Sequence, residues 1–340
     1  VALAAGGAHS CALDAGGRVR CWGLGSLGQL GRASRRAART PTVVEQLSEV
    51  RQLSAGRDFT CARRDDGVWC WGEGALGHGD GGTPRARRVE GTGQATQVAA
   101  GIGHACAVLR GGGMLCWGEA AAGQLGDGNV EAEGIPSPVP VAGVDDAAAA
   151  AAGGAHTCAL SRSGRVSCWG MNHFGQLGDG TTEDRLQPTA VTGLRDVVAL
   201  SLGQFHTCAL GRDGSLRCWG RNASGQLGLG DREDRHTPTV VLGAVAEVAA
   251  GQRHTCARTR DGRGLCWGDN TEGQLGNGSR EDRLQPTPVA GPRRVIALSA
   301  GERHGCVLDA EGGARCFGLG DGRLGDGSLR SSPTPVAVAR

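Results

Sequence analysis

The chain has 340 residues and a formal net charge of +2, a balance that argues against nucleic acid or an anionic membrane as partner. Sixty-two residues are glycine without the three-residue period of collagen, and 39% are hydrophobic, too many for a disordered chain. No apolar run approaches the roughly 18 residues of a membrane-crossing helix.

From the N-terminus onward one unit returns seven times. It begins on an expected strand, Val1 to Ala5, followed by a fixed glycine, two variable residues, a histidine and a cysteine. The cysteines pair as Cys11/Cys21, Cys61/Cys70, Cys106/Cys116, Cys158/Cys168, Cys208/Cys218, Cys256/Cys266 and Cys306/Cys316. Their step of about 49 residues is the signature of a propeller or solenoid rather than of separate domains. The fixed glycines are Gly6, Gly56, Gly101, Gly153, Gly203, Gly251 and Gly301. The histidine slot holds His9, Phe59, His104, His156, His206, His254 and His304. After the second cysteine comes an aromatic residue: Trp22, Trp71, Trp117, Trp169, Trp219, Trp267 and Phe317. A Gly-Gln-Leu-Gly turn follows, degraded to Gly77-His78-Gly79 in repeat two and to Gly322-Arg323-Leu324-Gly325 in repeat seven. A proline-bearing strand closes each unit, as in Pro41-Thr42-Val43-Val44, and proline suits an outer edge.

Four short strands between turn signals make one propeller blade. The expected fold is all-β, a seven-bladed β-propeller with about four antiparallel strands per blade and one intra-blade disulfide per repeat. It forms one domain over 1–340, with repeats at approximately 1–45, 46–93, 94–142, 143–192, 193–242, 243–291 and 292–340. Repeat four tests this reading, because its first strand slot, Ala147 to Ala152, is a run of alanines that prefers helix in isolation. Its spacing to His156 matches that of Val197–Leu202 to His206, so tertiary context is expected to impose a strand. Ring closure stays open: the last strand, Pro333 to Ala339, belongs either to its own blade or to the first.

Pairing Cys11 with Cys21 aligns Leu13 with Val19 and leaves the turn Asp14 to Arg18. In repeat two the turn shrinks to Arg64-Asp65-Asp66-Gly67 with the register kept. Trp22 then lies on the other sheet face, opposite Ser10, and this opposing slot is small throughout: Ser10, Thr60, Ala105, Thr157, Thr207, Thr255 and Gly305. Directly opposed strand residues are within disulfide reach, and closing a loop of about ten residues stabilises by roughly 2.5–3 kcal/mol. Zinc fits less well, since one blade offers only two thiols. Seven disulfides imply an oxidising, extracytoplasmic location: periplasmic, cell-surface or secreted. A signal peptide is not legible in a chain that starts at Val1.

The unit Gly203-Gln204-Phe205-His206-Thr207-Cys208 through Cys218-Trp219-Gly220 to Gly225-Gln226-Leu227-Gly228 resembles the repeat of the regulator-of-chromosome-condensation family. The resemblance recurs along the whole chain and implies a seven-bladed propeller, without implying one activity. Its founding member is a nuclear exchange factor for the small GTPase Ran and binds chromatin. Others are a plant ultraviolet photoreceptor and a secreted bacterial inhibitor of β-lactamases. The paired cysteines, the near-uniform repeat length and the lack of a basic tail set this chain apart from the founder. All 36 basic residues are arginine, as in a GC-rich and hence bacterial genome.

Gly23-Leu24-Gly25-Ser26-Leu27-Gly28 matches a dinucleotide fingerprint, but it falls in the repeat turn with no helix after it. Six histidines at one blade position read as packing or hydrogen bonding, because Phe59 fills the same slot. Asp179, Glu183 and Asp184 could suit calcium, but the adjacent Arg185 argues for a neutralised surface loop. No catalytic, cofactor or metal site is expected. The pair between the fixed glycine and the histidine slot varies most, and all seven pairs should emerge at one end of the ring. Arg57, Phe205, Arg253 and Arg303 among them are the candidate partner-binding residues. The expected function is a monomeric, non-enzymatic scaffold that binds a protein of unknown identity. The alternatives are a small-ligand or lyase- or hydrolase-like propeller using the channel mouth, and a disfavoured exchange or chromatin role.

Overall fold

The computed structural model describes residues 2–79 and 81–339; Val1, where the first strand was expected to open, lies outside them. Seven four-stranded antiparallel sheets form the propeller, each with its strands in sequence order. In the first blade these are β1 (Ala2–Ala5), β2 (His9–Leu13), β3 (Val19–Gly23) and β4 (Ala38–Val43). β1 and its counterparts line the central channel, while β4 and its counterparts are the outer edges and carry the prolines. The alanine run is a strand, Ala147–Ala152. Its backbone is held by the Gln97 amide, which donates to the Ala150 carbonyl at 2.9 Å and accepts from the Ala150 N–H at 2.6 Å.

The cystines fall where the spacing placed them, each joining the second and third strands of one blade. Cys11 faces Cys21, Cys61 faces Cys70, Cys106 faces Cys116 and Cys158 faces Cys168. Cys208 faces Cys218, Cys256 faces Cys266 and Cys306 faces Cys316. All seven pairs are bonded, with a Cα–Cα distance of 4.1 Å in each. In blade two the strands run on to Arg64 and Gly67, so only Asp65 and Asp66 turn the chain between Cys61 and Cys70. The two faces of each sheet serve different neighbours. Cys158 and Cys168 pack with Trp219 of the next blade, and Cys306 and Cys316 pack with Trp22 across the seam. All seven slot aromatics are fully buried, each contributing about 3 kcal/mol in area terms.

A polar relay joins the blades beside this packing. Thr207 Oγ1 donates to the Gln176 carbonyl of the preceding blade at 2.8 Å, and Trp219 Nε1 donates to the same carbonyl at 2.9 Å. The Thr207 oxygen therefore accepts from His156 Nε2–H, 2.9 Å away in the preceding blade. This fixes the neutral Nε2–H tautomer of His156. The same three bonds join blades one and two through His9, Thr60, Gln29 and Trp71. They join blades three and four through His104, Thr157, Gln124 and Trp169, and blades five and six through His206, Thr255, Gln226 and Trp267. Burial pushes the imidazoles of His9, His156 and His206 down to about 3 and those of His104 and His254 to about 4.

Among the described residues, ring closure uses no shared strand. The last sheet is built from Val295–Ala300, His304–Asp309, Ala314–Gly318 and Ser332–Ala337, all of its own repeat. The relay closes the seam instead, with Ser10 bonded to His304 at 2.7 Å and both Ser10 and Trp22 donating to the Arg323 carbonyl. Arg323 stands in the glutamine slot, almost fully buried, and its guanidinium reaches the Gly7 carbonyl at 2.7 Å while pairing with Asp321. The degraded turn of repeat seven is thus a clamp between the last blade and the first.

Candidate functional site

The connections between first and second strands and those between third and fourth strands emerge at one end of the ring. They are stitched together: the Arg221 N–H donates to the Phe205 carbonyl at 2.8 Å, Asp269 to Arg253 at 3.0 Å and Leu319 to Arg303 at 2.9 Å. At the inner margin the backbone bonds run from blade to blade, as in Ile102 N–H to the Gly153 carbonyl at 2.9 Å and Glu302 N–H to the Gly6 carbonyl at 3.2 Å. This close approach explains the fixed glycine. A Cβ at Gly203 would lie 2.5 Å from the Gly251 carbonyl and closer still to the His206 ring. The variable side chains therefore stand on loops whose backbone is already held.

The cystines support this end without forming part of it. Cys70, Cys116 and Cys266, like their partners Cys61, Cys106 and Cys256, are buried between the sheets and do not line the channel cavity. Cys11, Cys21, Cys208 and Cys218 are buried in the same way. The sulfurs thus belong to the framework, and contact with a partner falls to the loops.

The four candidate residues divide into two sets. Arg57 occupies the first variable position of its blade and turns to the channel mouth, its Nε 3.5 Å from Glu302 and 3.5 Å from Asp58. Burial pushes the Asp58 carboxyl up, opposed by the Arg57 charge. Glu302 also accepts from Gln252 at 3.3 Å, so side chains of blades two, six and seven meet there above a channel cavity of about 290 Å3. Phe205, Arg253 and Arg303 occupy the second variable position of blades five, six and seven, on the outer rim. Arg303 lies 3.8 Å from Glu272, whereas Arg253 is exposed and has no ion pair among the described residues.

Phe205 is not alone. Its ring lies 5.2 Å from that of Phe174 in blade four, tilted by 56°. The Arg221 guanidinium sits 4.6 Å from the Phe174 centroid and 5.6 Å from that of Phe205, within cation–π range of both. Neither Phe174 nor Arg221 lies in the segment between the fixed glycine and the histidine slot. They come from the turns after Trp169 and Trp219, where a lone phenylalanine before Gly-Gln-Leu-Gly was the only signal to be had.

The acidic loops serve the fold. Asp184 accepts from the Asn172 N–H at 2.6 Å, and Asp179 lies 2.8 Å from Arg185. Against the opposing effect of burial, hydrogen bonds from Thr181 and Arg185 hold the Asp179 carboxyl below the usual range. On the channel wall, Gln52, Gln97 and Ser54 bond the backbone of the next blade, leaving them engaged in construction.

Residues 1–289 match the family described as RCC1-like domain. Over 194 residues the chain is 33% identical to the ultraviolet-B receptor UVR8 of Arabidopsis thaliana, covering 54% of this chain and 44% of that protein. It is also 33% identical over 194 residues to the E3 ubiquitin-protein ligase HERC2 of Homo sapiens, covering 54% of this chain and 4% of that one. The chain thus spans less than half the length of these curated relatives. Among solved structures, yeast RCC1 (Prp20) bound to Kap60 superposes with a TM-score of 0.79 at 24% identity, over 88% of this chain and 78% of that chain. The repeat, the sheet order and these likenesses agree, and the chain belongs to the RCC1-like domain family.

Proposed function

We propose that this chain is a non-enzymatic scaffold that binds a protein partner through the rim carrying Phe205, Arg253 and Arg303, in an oxidising compartment outside the cytoplasm. The observation that carries the reading is the repetition of anchor-type side chains at one position of three consecutive blades, on loops held from beneath. A protein-bound propeller of the same fold, yeast RCC1 with Kap60, supports the scaffold role. Seven cystines and no free cysteine among the described residues support the location.

The test is the double variant R253E/R303E. Proteins captured from the native exterior by the intact, oxidised chain are expected to be retained at least tenfold less by it, with unchanged thermal unfolding. Equal retention would remove this rim as the binding face. For the location, a thiol count on denatured, unreduced protein from its native source should find none, and fourteen free thiols would place the chain in a reducing compartment.

A further inference from the structure

We infer that Arg221, stacked on Phe174 and Phe205, is the anchor for a carboxylate of the protein partner, so that the rim docks a segment presenting an aspartate or glutamate beside an apolar residue. This rests on the reading of the rim as a binding face and names the chemistry it selects. A guanidinium lying over aromatic faces keeps its edge, and so its forked N–H donors, free for a planar bidentate acceptor. Among the described residues, no side chain or carbonyl takes those donors: the guanidinium makes no hydrogen bond or ion pair and lies against the two rings. The phenyl groups, both half-buried, supply the apolar collar that strengthens such a bond by excluding water.

The repeat itself shows what is missing. The three positions that meet here recur at every junction between blades. At five of the other six junctions they include at least one acid: Asp58 and Glu73 together at one, and Glu119, Asp269, Glu272 and Asp321 at the others. At the junction of blades six and seven that acid answers the rim arginine from within the chain, Glu272 lying 3.8 Å from Arg303. The junction of blades four and five has the arginine and no acid, so its counterpart must come from outside. The site is also rigid. Phe174 donates its N–H to the Gln176 side chain at 2.9 Å, Phe205 precedes His206, and Arg221 follows Trp219 by two residues. Each anchor is thereby fastened to a member of the inter-blade relay, which limits the ordering cost of binding. A single carboxylate fits better than a nucleic-acid backbone, because the rim sets acids among its arginines, Glu272 lying 3.8 Å from Arg303.

The probe is a phage-displayed library of random 12-residue peptides, panned against the intact oxidised protein. Enriched peptides are synthesised, each with its Asp→Asn or Glu→Gln counterpart, and titrated against wild type, R221K, R221A and R253E/R303E. The expected result is an acid shared by the enriched peptides, at least a tenfold loss on its neutralisation, and a similar loss with R221K, which keeps the charge but not the fork. The peptide arm needs no change to the protein, so misfolding of a variant does not blur it. Enrichment without an acid, equal binding of the neutralised peptides, or no peptide displaced by R221A overturns the anchor. Peptides lost with R253E/R303E but indifferent to R221K overturn the anchor while leaving the rim as binding face. Tighter binding of a 12-nucleotide single-stranded DNA at Arg221, or a dimer in sedimentation that R221A dissolves, assigns the site to another occupant and also overturns it.

Discussion

Two kinds of junction hold the ring together, and the difference between them shows what the repeat is for. Between blades four and five the imidazole, hydroxyl, carbonyl and indole form one closed relay. Between blades two and three the relay is gone: Phe59 replaces the histidine, Ala105 replaces the hydroxyl, and Trp117 Nε1 finds no acceptor among the described residues. Between blades six and seven Gly305 and Phe317 replace the hydroxyl and the indole, leaving both nitrogens of His254 unbonded and fully buried. Three net hydrogen bonds of about 1 kcal/mol each separate the two kinds. The blank junctions lie on opposite sides of the ring. They divide it into an arc of blades three to six and an arc of blades seven, one and two, the second containing the Arg323 clamp. Apolar packing closes the ring everywhere, and the relay adds rigidity where it is present. The carboxylate site proposed at blades four and five stands on one of the rigid junctions.

Acid should produce the largest effect, because it acts on both kinds of junction. Six buried imidazoles are held well below their ordinary value, three at about 3 and two at about 4, with His304 also lowered by burial and then by Arg323. The unfolded chain binds their protons near pH 6.5, so their contribution is complete above that value and is lost as pH falls toward 4 and then 3. Each is worth up to about 1.4 kcal/mol per pH unit inside that window. Thermal unfolding at pH 7.5, 6 and 5 should show a steep fall between the last two, with several protons taken up per molecule. A flat profile would mean that these rings are hydrated or charged in the folded ring.

Next in size is the removal of one relay hydroxyl. Thr207→Val keeps the shape but strands His156 Nε2–H and should lower stability by about 2 kcal/mol, read from denaturant midpoints at an unchanged slope. Thr207→Ser should stay within about 0.5 kcal/mol, since Ser10 performs the same task at the seam. Equal losses for the two variants would mean that the hydroxyl contributes no more than the methyl, and that the relay is not what holds this junction.

Much of this was legible in the cysteines. Their opposition set the strand register, and spacing alone assigned Ala147–Ala152 to a strand against its propensity. The relay was not legible, because stacking repeats on one another compares the same position in different blades. Its bonds join unlike positions of successive blades, so Phe59 looked like tolerance of any ring when it answers Ala105 one repeat later. The rim shows the same blind spot. Phe205 was singled out from the variable pair, but Phe174 and Arg221 reach it only because the third-to-fourth-strand turns fold back over the first-to-second-strand loops. Arg323 read as a decayed glutamine, since only closure of the ring brings Gly7 to it.

The blank junction of blades six and seven can also be rebuilt. A Cβ at Gly305 would lie 2.6 Å from the Phe317 ring, so Gly305→Thr alone should lose about 1–3 kcal/mol to crowding. Thr and Trp coexist at the relay junctions, and G305T/F317W should therefore recover the loss and give His254 and Gln274 their missing partners. A coupling of at least about 1 kcal/mol in the double-mutant cycle is expected.

The smallest effect at neutral pH separates need from tolerance at the same junction. His254→Phe removes two buried, unbonded nitrogens and places in the slot the residue that blade two already uses. The space is equivalent: a Cβ at Gly251 would approach the His254 ring as closely as one at Gly56 approaches Phe59. At pH 7.5 the variant should be neutral or more stable by about 1 kcal/mol, because a polar group without a partner is removed with no partner left behind. At pH 5 the gain should widen, since one of the imidazoles that unfolding protonates is gone. The matching His156→Phe should do the reverse at pH 7.5, leaving Thr207 without its donor. If both substitutions weaken the ring alike, the two junctions are held in the same way and the division into arcs fails.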